Sequence, residues 1–190
     1  MRRLSVFGII ALITLLLSAR HALAVTLYNE VEPNSTFATA QALGVSDGSM
    51  DVSGSRVGDS SADYYQFYAT AGDNIGMAVN TPGGPSYFDD PVLGLYNPSG
   101  VQLAFDDDDG PGYDSALGYS ITSSGFYAAA VSGWADFDFD GGGESGWTYH
   151  LLINNLTPYN NQGGPVIPEP TSLGLLGMGL VGWFGFKKRS

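Results

Sequence analysis

The chain has 190 residues and a formal net charge of -12, with seven basic residues against 19 acidic ones. Arg56 is the only basic residue between Val25 and Pro165, so this stretch lacks the basic face that nucleic-acid-binding proteins need for phosphate. The absence of cysteine excludes disulfides, thiolate chemistry and cysteine-ligated zinc.

Residues 1–24 have the pattern of a secretory signal peptide. Two arginines near the start precede the apolar stretch 4–17, which is too short to span a membrane comfortably. Ala22 and Ala24 form an A-x-A cleavage signal. We therefore expect export through the general secretory machinery. A retained N-terminal anchor is the alternative.

The region 25–153 is predicted to be an all-β domain, because short runs with alternating apolar residues recur between turn signals. About eight short strands with glycine-rich turns predict a jelly-roll-like antiparallel β-sandwich. A short helical turn is predicted at residues 37–43, and residues 154–165 are predicted to be a linker. The predicted strands cover residues 49–53, 63–70, 75–79, 91–97, 101–105, 116–122, 126–132 and 147–153.

The C-terminus combines three features in a fixed order. Pro168, Glu169 and Pro170 precede a stretch of apolar residues and glycines at 173–186, which is predicted to be a short transmembrane helix, and a basic tail follows at 187–189. The two prolines favour an extended backbone before the helix. The tail is expected to stay on the cytoplasmic side by the positive-inside rule. From these residues alone, a plain tail anchor is the simplest interpretation.

In order, spacing and terminal position, residues 166–190 resemble the PEP-CTERM sorting signal. The resemblance implies recognition by an exosortase, a membrane enzyme of Gram-negative bacteria that often make exopolysaccharide. It also implies transient anchoring in the inner membrane. Release to the cell surface or to the extracellular matrix would follow.

A second resemblance spans residues 28–153. Segment 28–41 reads Glu-x-Glu-Pro-Asn and then Phe-Ala-x-Ala, and it is followed by landmarks at 62–67, 71–73, 90–96, 125–127 and 149–151. In this order they resemble a bacterial pre-peptidase C-terminal (PPC) domain. PPC domains are similar to the collagen-binding domains of clostridial collagenases, which implies a jelly-roll sandwich that binds calcium near its N-terminal edge. The chain departs from the family pattern at Ser35 and Ala62, where Asp is common.

The first candidate metal site lies at that edge. Calcium prefers carboxylate and carbonyl oxygens, and alternation along an extended segment places Glu30, Glu32 and Asn34 on one side. The resemblance implies that these three residues and Asp63 are ligands in the calcium-binding relatives. Asp59 is added because it lies near Asp63 in the chain. The alternative is a solvated acidic edge.

A second, weaker calcium candidate matches the first six positions of a D-x-D-x-D-G loop. Trp147 stands at the twelfth position, where such loops carry a bidentate Glu, so the main closing ligand is missing. The favoured alternative is a strand end with its two phenylalanines buried and its carboxylates in water. The candidate ligands are Asp136, Asp138, Asp140 and Glu144.

Two further features are predicted to carry no special chemistry. The four carboxylates of residues 106–109 repel one another and are expected to form a solvated loop. His150 is expected to be structural, because no nucleophile elbow, phosphate loop or H-E-x-x-H motif accompanies it.

Tyrosines that project from outer sheet faces are candidates for sugar or protein contacts. They are Tyr64, Tyr68, Tyr96 and Tyr119.

The sequence therefore predicts an exported, non-catalytic surface or matrix protein. Its sandwich would be a calcium-stabilised module that binds exopolysaccharide or a surface protein. A small secreted hydrolase, an accessory module of a polymer-degrading system and a purely structural spacer are the alternatives.

Overall fold

A computed structural model describes residues 24–44, 48–83, 88–157, 159–160 and 164–165. These residues form twelve strands and a 3-10 turn at Phe37–Thr39. The strands are β1 (Ala24–Asn29), β2 (Gln41–Ala42), β3 (Gly48–Ser55), β4 (Asp63–Ala69), β5 (Asn74–Asn80), β6 (Pro91–Tyr96), β7 (Gln102–Asp106), β8 (Ala116–Ser120), β9 (Gly125–Gly133), β10 (Thr148–Asn154), β11 (Tyr159–Asn160) and β12 (Gly164–Pro165).

The predicted β-sandwich is confirmed. One five-stranded sheet has the order β1-β3-β10-β5-β8, and the other has the order β2-β4-β9-β6-β7. All pairs are antiparallel except β1 with β3 and β2 with β4, which are parallel pairs at sheet edges. Neither β1 nor β2 is predicted from the sequence. The expected helical turn at 37–43 is in fact the short 3-10 turn followed by β2.

The main core lies between the two sheets. In β3, β5 and β10 every second residue is buried, as expected for strands with one face toward the core. Val52, Val79 and Leu151 fill the core from the first sheet. Phe67 and Leu93 meet them from the second sheet. Burying each such side chain contributes about 1.5–3 kcal/mol relative to exposure.

A second, smaller core covers the outer face of the second sheet. The chain after β9 folds back and places Phe139 over Gly94, where an added Cβ would lie 2.8 Å from the Phe139 ring. Tyr64 and Tyr96 are buried in this cluster, and the Tyr64 hydroxyl donates to the Phe139 carbonyl oxygen at 3.0 Å. The expectation that these tyrosines face solvent is therefore wrong. Tyr119 instead packs against the main core.

Several strand ends meet at one end of the sandwich. Asp63 begins β4 and pairs with Val131 of β9, while Pro91 begins β6 and pairs with Gly133 at the end of β9. Most of the acidic residues lie in the loops that adjoin these ends, and we call this region the acidic end. Its acidic segments are residues 30–32, 106–109 and 136–144.

Packing continues beyond residue 153. Leu156 is buried and its N–H donates to the Gly48 carbonyl oxygen, and the Thr157 hydroxyl donates to Asp73. The first part of the predicted linker thus lies against the sandwich. The described residues include no helix that is long and apolar enough to cross a membrane.

The predicted targeting segments lie almost wholly outside the described residues. Ala24, the last residue of the predicted signal peptide, begins β1, whereas Ala22 precedes the described part. Residues 166–190 also lie outside it.

Candidate metal centre

Three carboxylates converge at the N-terminal edge of the acidic end. Glu30, Glu32 and Asp63 each offer an oxygen within 4.8 Å of the others, and we call them the N-terminal cluster. Glu30 directly follows β1, and its N–H donates to the Ser53 carbonyl oxygen at 2.9 Å. The Ser55 N–H donates to Glu30 Oε2 at 2.7 Å, which fixes the side chain. The parallel pairing of β1 with β3 therefore carries Glu30 to the start of β4.

Two buried tyrosines hold the carboxylates from the core side. The Tyr149 hydroxyl donates to Asp63 Oδ2 at 2.7 Å, and the Tyr65 hydroxyl donates to Glu30 Oε1 at 2.9 Å. The two hydroxyl oxygens lie 2.6 Å apart. Gly54 makes room for the Tyr149 ring, since a Cβ there would lie 2.3 Å from it. Neither tyrosine is predicted from the sequence to join the site; the one signal is that a buried strand tyrosine needs a polar partner.

Asn34 completes the arrangement and leaves an oxygen free. It is 0% exposed; its N–H donates to Glu32 Oε2 at 2.9 Å and its Nδ2 donates to Glu30 Oε1 at 3.2 Å. Its Oδ1 is buried and has no hydrogen-bond partner within the described residues, and the same holds for Asp63 Oδ1. Buried polar atoms are nearly always paired. A set of carboxylate and amide oxygens with two unpaired acceptors fits a hard divalent cation.

Burial makes the N-terminal cluster costly without a counter-charge. It raises the pKa of Asp63 to about 8; the Tyr149 hydrogen bond opposes this rise, and the negative charge of Glu30 adds to it. Burial also raises the pKa of Tyr149 and of Tyr65, which stay protonated donors. A bound cation would offset the repulsion among the carboxylates.

Asp59 lies apart from this cluster. Its Oδ1 accepts hydrogen bonds from the N–H and the hydroxyl of Ser61, both at 2.8 Å, and these bonds lower the pKa of Asp59. The carboxylate thus stabilises the turn before β4. The inclusion of Asp59 as a ligand, which was based on its proximity in sequence, finds no support in this geometry.

The second predicted site is a loop held by its own hydrogen bonds. Asp136, Asp138 and Asp140 offer oxygens within 4.8 Å of one another, but only Asp136 is buried. Asp136 accepts hydrogen bonds from Ser132 Oγ and from the Asp140 and Gly141 N–H groups. All of its oxygens are therefore paired, and the other two carboxylates are exposed.

Two other expectations for the acidic end are corrected by the structure. Glu144 does not join the Asp136 group; it lies near Asp90, whose pKa it helps to raise. The run 106–109 is not simply a solvated loop, because Asp107 and Asp108 converge with Asp90.

His150 lies on an open surface. Its Nδ1 is 2.9 Å from Asp51 Oδ1, and its register partner on β3 is Ser53. These residues adjoin an open groove of about 380 Å³. It is lined by Asn29, Glu30, Ser53, Gly54, Ser55, Pro82, Thr148, Tyr149 and His150. A hydrogen bond to Asp51 on an open sheet face fits a structural histidine.

Three solved structures are similar to this chain at low sequence identity. The pre-peptidase C-terminal domain of a Bacillus anthracis collagenase is 19% identical, with a TM-score of 0.45, over 66% of this chain and 100% of that one. PliG, a periplasmic inhibitor of g-type lysozyme from Aeromonas hydrophila, is 16% identical with a TM-score of 0.41, over 68% and 96%. CorA, a surface-associated copper-binding protein of Methylomicrobium album BG8, is 10% identical with a TM-score of 0.39, over 70% and 100%.

The C-terminal resemblance is confirmed by a family model. The family model described as the PEP-CTERM protein-sorting motif matches residues 166–189. A search among curated proteins gave no match. Such a motif implies recognition by an exosortase and marks an exported protein with a C-terminal membrane-anchoring signal. The chain therefore combines an all-β sandwich with a PEP-CTERM sorting motif.

Proposed function

We propose that this is a non-catalytic cell-surface or matrix protein whose sandwich is a calcium-stabilised binding module. The observation that supports calcium is the N-terminal cluster, where unpaired buried oxygens of Asn34 and Asp63 lie among three carboxylates. Calcium takes six to eight oxygen ligands, so water or backbone carbonyls would complete the shell. The candidate ligands are Glu30, Glu32, Asn34 and Asp63.

Calcium is expected to raise the melting temperature of the full chain, purified in mild detergent, relative to the same protein in chelator. A ligand at 100 times its dissociation constant adds about 2.7 kcal/mol to the free energy of unfolding. For a domain of this size that is a shift of roughly 8–15 °C. Glu32→Gln keeps an oxygen that can accept the Asn34 N–H and removes a charge, so it is expected to abolish most of the shift.

Asp59→Asn is the matched control. It also removes a negative charge near β4, but it keeps the acceptor that Ser61 uses and leaves the N-terminal cluster intact. This variant is expected to respond to calcium like the wild type. Equal melting temperatures of the wild type in calcium and in chelator would count against the calcium-stabilised module.

Exposed aromatic side chains support a polymer-binding role. Trp134 and Phe137 are 46% and 43% exposed, and the Phe137 ring centroid lies 6.1 Å from that of Phe105. Aromatic faces stack on sugar rings and protein side chains. Of the tyrosines expected at the surface, Tyr64 and Tyr96 are buried, so the aromatic set near the acidic end is a different one.

Trp134→Ala is expected to weaken binding of the full chain to an insoluble neutral polysaccharide such as cellulose. A contact worth about 1 kcal/mol changes affinity roughly fivefold. Phe126→Ala, at the opposite end of β9, removes an equally exposed ring and serves as the control. Equal binding of the two variants would exclude this aromatic surface as the binding site.

The non-catalytic role has its own test. If the wild type hydrolyses the polymer and His150→Ala does not, that role is contradicted.

A further inference from the structure

A third group of carboxylates lies at the acidic end, away from the N-terminal cluster. Asp90 directly precedes β6, and Asp107 and Asp108 directly follow β7. One oxygen from each lies within 4.8 Å of the others. Asp90 is only 6% exposed. Three like charges are thus held together partly out of water.

The loop after β7 is held by other residues. Asp106 Oδ2 accepts the N–H groups of Asp109 and Ala116, at 3.1 and 2.8 Å. The Ser115 hydroxyl lies 2.9 Å from the Asp107 carbonyl oxygen, to which it donates. The side chains of Asp107 and Asp108 are therefore not needed to form the loop. Their convergence with Asp90 requires another explanation.

Three buried oxygens in this region lack hydrogen-bond partners within the described residues. They are Asp90 Oδ1, Asp107 Oδ1 and Glu144 Oε2. Leaving a buried polar atom unpaired costs about 1–3 kcal/mol, and more for a charged group. Glu144 is held nearby because its backbone lies against Gly133, where a Cβ would be 2.0 Å from the Glu144 carbonyl oxygen. Such packing leaves Glu144 little freedom to move away.

No lysine or arginine side chain between Val25 and Pro165 neutralises this group of carboxylates. Arg56, the only basic residue between Val25 and Pro165, donates its guanidinium hydrogen bonds to backbone carbonyl oxygens. Burial raises the pKa of Asp90 to about 6, and the charges of Asp107, Asp108 and Glu144 add to the rise. An external cation would offset this repulsion and pair the unpaired oxygens.

We propose that the protein has a second calcium site, formed by Asp90, Asp107 and Asp108, with Glu144 near enough to add its negative charge. An all-oxygen donor set with several carboxylates suits Ca²⁺, which tolerates irregular geometry. The ion would join two segments of the acidic end: the residue before β6 and the loop after β7. This site is independent of the N-terminal cluster and of the polymer-binding role.

The test is calcium binding to the full chain in mild detergent, measured by equilibrium dialysis. Asp90→Asn is expected to bind one calcium ion fewer than the wild type, or to bind that ion at least about tenfold more weakly. Asp109→Asn is the matched control, because it removes an exposed charge from the same loop. It is expected to bind as many ions as the wild type.

Two further variants keep the result interpretable. Asp108 is exposed, so Asp108→Asn is expected to keep the fold, checked by circular dichroism, and still to weaken the same ion. Glu32→Gln is expected to remove a different calcium ion. If Asp90→Asn loses an ion and Glu32→Gln loses none, only the N-terminal site is contradicted. If Asp90→Asn and Asp108→Asn bind like Asp109→Asn, the second site is overturned and water satisfies these oxygens.

Discussion

Replacing Asp63 with Asn is expected to stabilise the full chain in chelator and to abolish its response to calcium. Asp63 is 1% exposed and lies beside Glu30 and Glu32, so its negative charge is costly when no cation is bound. The amide oxygen of Asn can still accept the Tyr149 hydroxyl. The substitution thus removes the charge and keeps the hydrogen bond, but the amide is a weaker calcium ligand than a carboxylate.

The same residue sets a pH dependence with a defined sign. Its folded-state pKa of about 8 is far above the unfolded value of about 3.9. The folded state therefore holds the extra proton between these values. Asp63 contributes stability that is fully present below about pH 4 and is lost as the pH rises toward 8. One linked proton changes the free energy of unfolding by at most about 1.4 kcal/mol per pH unit.

Urea unfolding in chelator at pH 5 and pH 8 measures this slope. The wild type is expected to lose several kcal/mol over this interval from Asp63, whereas Asp63→Asn is expected to lose much less. The exposed variant Asp109→Asn is expected to follow the wild type. The role of Asp63 would be contradicted if Asp63→Asn lost as much unfolding free energy between pH 5 and pH 8 as the wild type. It would also be contradicted if calcium still stabilised that variant.

Replacing Arg56 with Met is expected to cause a large loss of stability of the sandwich. Arg56 is 0% exposed. Its Nε donates to the Glu144 carbonyl oxygen at 3.1 Å, and its two terminal nitrogens donate to the carbonyl oxygens of Ser60 and Ser61. The guanidinium also lies 5.5 Å from the centroid of the Trp147 ring. One side chain thus joins the turn before β4 to the loop before β10.

The expected cost is about 4 kcal/mol, because three part-buried carbonyl oxygens would each lose a hydrogen bond from a charged donor. That is a large part of the 5–15 kcal/mol that stabilises an ordinary domain. Arg56→Lys keeps the charge but not the three-way donor geometry, so about half of the loss is expected. Urea unfolding followed by tryptophan fluorescence measures both. A loss below 1 kcal/mol for Arg56→Met would show that water replaces the guanidinium.

Most strands were predictable because alternation along the chain reports burial directly. β3, β5 and β10 bury every second side chain, and the sequence shows that period. The edge strands β1 and β2 were missed for physical reasons. Val25 and Leu27 of β1 are exposed despite being apolar, and β2 has only two residues. In β1 the exposed face carries the apolar residues, so the sequence does not report its burial, and β2 is too short to show a pattern.

The sequence by itself determined the sorting motif and part of the candidate metal site. Residues 166–189 are recognised as a linear pattern, which needs no partner from elsewhere in the chain. Glu30, Glu32 and Asn34 follow one another at alternate positions of one extended segment, so their convergence is a local property.

Only the tertiary structure decided which distant residues meet these groups. Tyr149 reaches Asp63 across the sandwich, and Asp107 and Asp108 converge with Asp90 from a different loop. Tyr64 and Tyr96 are buried because the loop carrying Phe139 covers their sheet. The reason is that strand pairing and loop packing bring together residues far apart in the chain, and sequence spacing does not encode those distances.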